Sequence, residues 1–172
     1  IVAGTYLIAG AITQGELLIK NCCPKHLEAL TDKLKNAVSK IAVFEKDIYI
    51  KADGDIISVP LTETQPYPGF PTDLQAQTLA LQTVSKGSGI MVENIFETRY
   101  KHVAELTKMG ANIVVKDKIA LVRGVKNLHG AEVTAHDLRG GAALVLAGLC
   151  AVGRTEISDI KHIDRGYLNF DM

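Results

Sequence analysis

The chain has 172 residues, 47% of them hydrophobic and 22% charged, and its 19 basic residues balance 19 acidic ones to a formal net charge of zero. That composition is ordinary for a globular protein and excludes bulk disorder. With no long run of one sign, it also excludes a global field that would draw the chain onto nucleic acid or an anionic membrane.

The length suits one domain, or one large piece of a two-domain protein. Apolar runs such as residues 144–149 are broken by glycine well short of the ~18 to 20 residues a bilayer span needs, and no basic n-region is read ahead of Ile1, so a soluble, non-exported chain is expected. Cys22, Cys23 and Cys150 are odd in number and the first two are vicinal, a usage that suits a reducing cytoplasm. No Cys-x-x-Cys, His-x-x-x-His or Glu-x-x-His pair occurs, so no metal ligand set is expected.

In chain order, residues 4–15 read as an apolar helix ending in glycine, and residues 16–20 as a short strand. Leu27, Leu30, Leu34, Val38 and Ile41 then recur at spacings of three and four, the stripe of an amphipathic helix lying outside a sheet. Residues 41–44 and 48–50, separated by Glu45-Lys46-Asp47, read as a hairpin. The pattern returns with a helix over 73–87, a strand over 90–94, a second helix, and a hairpin of 113–115 and 119–122. His26-Leu27-Glu28-Ala29-Leu30-Thr31 reappears as His102-Val103-Ala104-Glu105-Leu106-Thr107. A third copy opens at Asp137, runs through the helix 140–150 and a strand over 155–160, and reaches His162.

The units are therefore helix, strand, helix, strand, strand, over about 4–50, 73–122 and an incomplete 137–172. The helices that open them have almost no polar face and are expected to be buried. That places helices inside and sheets outside: an inverted, barrel-like α/β domain, cut at both ends.

Several polar residues fall at the helix starts. Thr72 and Asp73 follow the proline-rich Gln65-Pro66-Tyr67-Pro68-Gly69-Phe70-Pro71, so Asp73 is expected either to cap the buried helix or to present a carboxylate to a substrate hydroxyl. Asp137 reads as a cap as well. Arg139, in the first turn of an apolar helix, opposes the helix dipole and needs a nearby carboxylate or anion. Arg165, and Arg99 at the matching place in the second unit, could each clamp an anion. Cys22 and Cys23 have no neighbouring base evident in sequence, and Cys150, on a buried helix, reads as inert.

Tyr67-Pro68-Gly69-Phe70-Pro71-Thr72-Asp73-Leu74-Gln75-Ala76-Gln77, Asn94-Ile95-Phe96-Glu97-Thr98-Arg99-Tyr100, Asp137-Leu138-Arg139 and His162-Ile163-Asp164-Arg165-Gly166-Tyr167 together closely resemble the enolpyruvyl transferase family, and within it the UDP-N-acetylglucosamine 1-carboxyvinyltransferases. The resemblance runs from about residue 3 to 167. It implies most of a C-terminal catalytic domain that faces an N-terminal domain across the active site. It further implies transfer of the enolpyruvyl group of phosphoenolpyruvate to the 3′-hydroxyl of UDP-N-acetylglucosamine, in the cytoplasm and without a cofactor.

By motif position, Asp73 matches the aspartate that contacts the sugar hydroxyl and is proposed as the base. Ile95 matches a sugar-nucleotide contact and Arg165 a phosphate-binding arginine, while Arg99, Asp137 and Arg139 match polar residues bordering the same site. The family's phosphoenolpyruvate-binding lysine and asparagine, its loop cysteine and a further arginine lie upstream of this chain, and none of the three cysteines matches the loop cysteine. Asn169-Phe170-Asp171 replaces the usual start of the next helix, and Lys161 stands where an aromatic is common. Two other readings are the related 3-phosphoshikimate enzyme and a non-catalytic binding or assembly module. Half a site implies a chain that is silent alone and self-associates.

Overall fold

A computed structural model describes residues 1–167; the substitution at 169–171 lies outside the described residues. Helices α1 (Val2–Ile12), α3 (Gln75–Thr83) and α5 (Leu138–Cys150) pack on one another at the centre. Around them lie a three-stranded antiparallel sheet, a four-stranded sheet and a two-stranded parallel pair.

The first sheet, ordered β1-β3-β2, comprises β1 (Glu16–Ile19), β2 (Lys40–Val43) and β3 (Ile48–Lys51). Along β3, Ile48 and Ile50 alternate inward and are fully buried, as the two-residue period of a half-covered strand requires. The second sheet, ordered β4-β5-β7-β6, comprises β4 (Leu61–Glu63), β5 (Ser88–Val92), β6 (Asn112–Lys116) and β7 (Ile119–Arg123). Strands β8 (Glu132–Thr134) and β9 (Glu156–Ser158) form the third. Outer helices α2 (Glu28–Leu34), α4 (Lys101–Lys108) and α6 (Lys161–Asp164) follow β1, β5 and β9.

The unit is thus longer than the sequence implies. β4 runs parallel to β5 across α3, and β8 parallel to β9 across α5, so a leading strand precedes the inner helix in the second and third units. Three-residue strands carry too little alternation to be read from sequence. The stripe from Leu27 to Ile41 is a second correction: α2 ends at Leu34, Val38 lies in the following turn, and Ile41 belongs to β2. Its first three leucines are buried because one face of a two-turn helix suffices to cover the core.

All nine residues of α3 are buried, polar Gln75, Gln77, Thr78, Gln82 and Thr83 included. α5 is less enclosed, with Leu149 61% exposed. Thr5 of α1 joins the inner layer to the third unit: its Oγ1 lies 2.8 Å from the Tyr167 hydroxyl and accepts from Gln77 Nε2 at 3.1 Å. Gln77 Nε2 also donates to the Asp73 carbonyl. Glu105 on α4 accepts the Thr134 amide, which fixes the second unit's outer helix to β8.

Candidate active site

Two inner helices begin on the same side, and their first turns build a cleft of 370 Å³ lined by Asp73, Phe96, Thr98, Arg99, Lys101, Asp137, Leu138 and Arg139. Pro71 holds an extended backbone ahead of a 3-10 turn, Thr72–Leu74, so Asp73 sits within the turn and its side chain caps nothing. The capping reading of Asp73 is therefore corrected. Its Oδ1 instead accepts Arg139 Nε at 3.1 Å and Arg99 Nη2 at 3.2 Å. Burial alone would push this carboxyl up; the hydrogen bond and charge of Arg139, then those of Arg99, outweigh burial and hold it below its ordinary value.

Asp137 is the cap that its sequence position suggests: its Oδ1 accepts the amides of Arg139 and Gly140 at 2.9 and 2.8 Å. The carboxylate that Arg139 needs is Asp73, 66 residues away in sequence. Arg99 is held three ways, by Asp73, by Thr72 Oγ1 at 2.7 Å, and over the Phe96 ring at 4.5 Å. Lys101 adds a third cation to a cleft in which Asp137 already serves the backbone, so the space is suited to an anionic ligand.

Asp73, Arg99, Asp137 and Arg139 are thus brought together. Ile95 and Arg165 do not line this cleft. Ile95, 40% exposed, lies on the loop after β5. Arg165 is exposed and follows α6; its neighbour Gly166 packs on Leu138, since a Cβ there would lie 2.8 Å from Leu138 Cδ2. Arg165 is thus adjacent in sequence to a residue packed on Leu138, which lines the cleft.

Two buried residues at the site escape sequence reading. Glu93, 2% exposed, accepts from Thr64, Thr72 and the amides of Ile95 and Phe96. His102, fully buried on α4, has its basicity lowered to about 4, by burial first and then by Arg99, against the opposing pull of Asp137. A bare glutamate after a strand and a histidine on a helix carry no motif. The only legible hint was the repeat of His26 at His102.

Burial pushes Cys150 up to about 11 and also raises Cys22, which makes both poor nucleophiles at neutral pH. A larger groove of 870 Å³ between α2 and β4 is mostly apolar, and Lys33 there already donates to the Leu61 carbonyl. The converging charges favour the smaller cleft.

Residues 1–172 match the family described as EPSP synthase (3-phosphoshikimate 1-carboxyvinyltransferase). The chain belongs to the EPSP synthase family. A member-like relative, UDP-N-acetylglucosamine 1-carboxyvinyltransferase 1 of Caldanaerobacter subterraneus subsp. tengcongensis, is 48% identical over 98% of this chain and 40% of its own length. UDP-N-acetylglucosamine 1-carboxyvinyltransferase of Desulfofundulus thermocisternus is 46% identical over 98% of this chain and 69% of its own. The chain therefore spans well under half of the first relative's length.

Among solved structures, the enolpyruvyl transferase NikO from Streptomyces tendae superposes with a TM-score of 0.84 at 25% identity, over 95% of this chain and 39% of that one. EPSP synthase from Acinetobacter baumannii gives 0.73 at 17% identity, over 96% and 42%, a likeness of fold. The inverted α/β architecture expected from the repeats is that of this family. No helix among the described residues is long and apolar enough to cross a membrane.

Proposed function

We propose that this chain forms one wall of the active site of a UDP-N-acetylglucosamine 1-carboxyvinyltransferase. Such an enzyme moves the enolpyruvyl group of phosphoenolpyruvate onto the sugar 3′-hydroxyl and releases phosphate, the first committed step of peptidoglycan synthesis. The observation that carries the reading is identity of 46 to 49% along 96 to 99% of the chain to relatives bearing that name. They favour it over the 3-phosphoshikimate reaction.

In this reading the hydroxyl oxygen bonds to C2 of phosphoenolpyruvate while its methylene carbon takes up a proton. Loss of a proton from that carbon then breaks the C2–O bond to phosphate and restores the double bond. Asp73 receives the hydroxyl proton. Held low by two guanidiniums, it is a weak base until substrate anions draw Arg99 or Arg139 away, which lets its proton affinity rise at the step that needs it. Arg165 takes the phosphate, Ile95 lies against the sugar nucleotide, and Arg139 and Asp137 fix the cleft floor.

In this reading the other wall belongs to an N-terminal domain of the whole protein, and the location is the cytoplasm. Without that wall the chain is inactive, because donors must surround the developing charge from several sides, and its exposed Leu149 and Val152 drive self-association.

The test is phosphate release from phosphoenolpyruvate and UDP-N-acetylglucosamine by the Caldanaerobacter relative with its matching segment replaced by this chain. Turnover is expected, and Asp73→Asn should lower it at least ~100-fold. A chimera that folds and binds the sugar nucleotide yet releases no phosphate would favour the non-catalytic module instead.

A further inference from the structure

We propose that Glu93 is a positioning residue that sets Arg99 against Asp73, acting through Thr72 on one side and Phe96 on the other. Its place in the chain, directly after β5, puts a carboxylate under the loop that begins at Asn94. Each of its oxygens is occupied. Oε1 accepts the Thr64 hydroxyl at 2.9 Å and the amides of Ile95 and Phe96 at 2.8 and 3.1 Å; Oε2 accepts the Thr72 hydroxyl at 2.9 Å.

The direction of these bonds is fixed by their neighbours. The Asn94 amide donates to Thr64 Oγ1, and Arg99 Nη1 donates to Thr72 Oγ1. A carboxylate only accepts, so each hydroxyl turns its own proton to Glu93 while its oxygen receives the N–H on its other side.

Two routes lead from Glu93 to one guanidinium. Through Thr72 it orients the oxygen on which Arg99 Nη1 rests; through the Phe96 amide it holds the ring over which the guanidinium lies. A buried acceptor with four donors keeps this geometry in place before any ligand arrives, because each lost bond would strand a buried polar group. With Arg99 so placed, its Nη2 meets Asp73 Oδ1. Glu93 touches neither the cleft nor Asp73 in this arrangement. It acts only through the residues that do.

The enolpyruvyl-transfer reading gives the Arg99–Asp73 pair its catalytic meaning, and the proposal rests on that reading for this alone. The test needs no substrate, so the two can fail separately. It is a ¹³C titration of the Asp73 carboxyl in the chain itself, alongside Glu93→Gln, Thr72→Val and Thr72→Ser, with thermal unfolding to confirm the fold.

Removing the negative charge of Glu93 would, by electrostatics alone, lower Asp73 further. If Glu93 sets Arg99, Glu93→Gln instead raises Asp73 toward its ordinary value: the glutamine keeps its oxygen on the Ile95 and Phe96 amides and turns its NH2, which cannot accept the hydroxyl proton, toward Thr72, and Arg99 loosens. Thr72→Val removes no charge and should raise it too, while Thr72→Ser should leave it unchanged. Should Glu93→Gln fail to fold, Glu93→Asp, which keeps the charge but shortens the reach to Thr72, takes its place and should likewise raise Asp73. An Asp73 titration that stays in place or moves down in a folded Glu93 variant, or in Thr72→Val, overturns the proposal.

Discussion

Arg139 Nε meets Asp73 Oδ1 at 3.1 Å across two units of the repeat, joining the first turn of α5 to the turn that opens α3. The pair makes the cleft a property of the assembled repeats rather than of either helix. It also places opposite charges in the proposed substrate cleft, so one contact serves both stability and the proposed chemistry.

Asp73 is half-exposed and paired with two guanidiniums, so Asp73→Asn should destabilise the fold at pH 7 by about 1 kcal/mol after allowance for solvent screening. Because the folded carboxyl titrates below its ordinary value of 3.8, the contribution is present above that value and fades as pH falls through the folded one. Urea unfolding of both proteins at pH 7 and pH 3 checks this. A gap that does not shrink in acid would show that the ion pairs are not its source.

His102 has the same sign of pH dependence, in a higher window. The unfolded chain takes up the imidazole proton near 6.5, whereas the buried side chain resists it until about 4. Stability should therefore decline as pH falls from 6.5 to about 4, by on the order of 3 kcal/mol for this group. His102→Leu should flatten that segment of the profile in chemical denaturation. Parallel profiles for the two proteins would mean that the imidazole is hydrated and titrates normally.

Thr5 bridges α1, α3 and the segment after α6 through its hydroxyl. Thr5→Val keeps the shape and removes the bridge, leaving Gln77 Nε2 and the Tyr167 hydroxyl each short of one buried bond. A loss of about 1 to 3 kcal/mol is expected, with Thr5→Ser recovering most of it. Denaturant midpoints measure this directly, and equal stability of the valine and serine forms would count against the bridge.

Much of the architecture was legible because the repeat imposed the same order of periodicities three times: α1, α3 and α5 fall close to the apolar stretches, and both hairpins lie within a residue or two of their sequence positions. What stayed hidden was short or non-local. β4 and β8 have three residues each and pair in parallel across a helix, which no local pattern reports. Asp73 looked like a cap because aspartate before an apolar helix usually is one; its two arginine partners come from 26 and 66 residues downstream. Arg139 is more legible, since a cation at a helix start demands an anion even when that anion is distant in sequence. Glu93 was overlooked because a single glutamate at a strand end is ordinarily solvated.

The enclosure of α3 bears on how the chain assembles. A nine-residue helix with five polar side chains is too short to persist in isolation and too weakly apolar to lead a collapse. Its surroundings, α1, α5, β5 and β7, come from all three units, so it can settle only when distant parts of the chain have met. The turn bearing Thr72 and Asp73 is fused to its start, which makes the cleft a late product of folding and ties its completion to the slowest, most non-local contacts in the molecule.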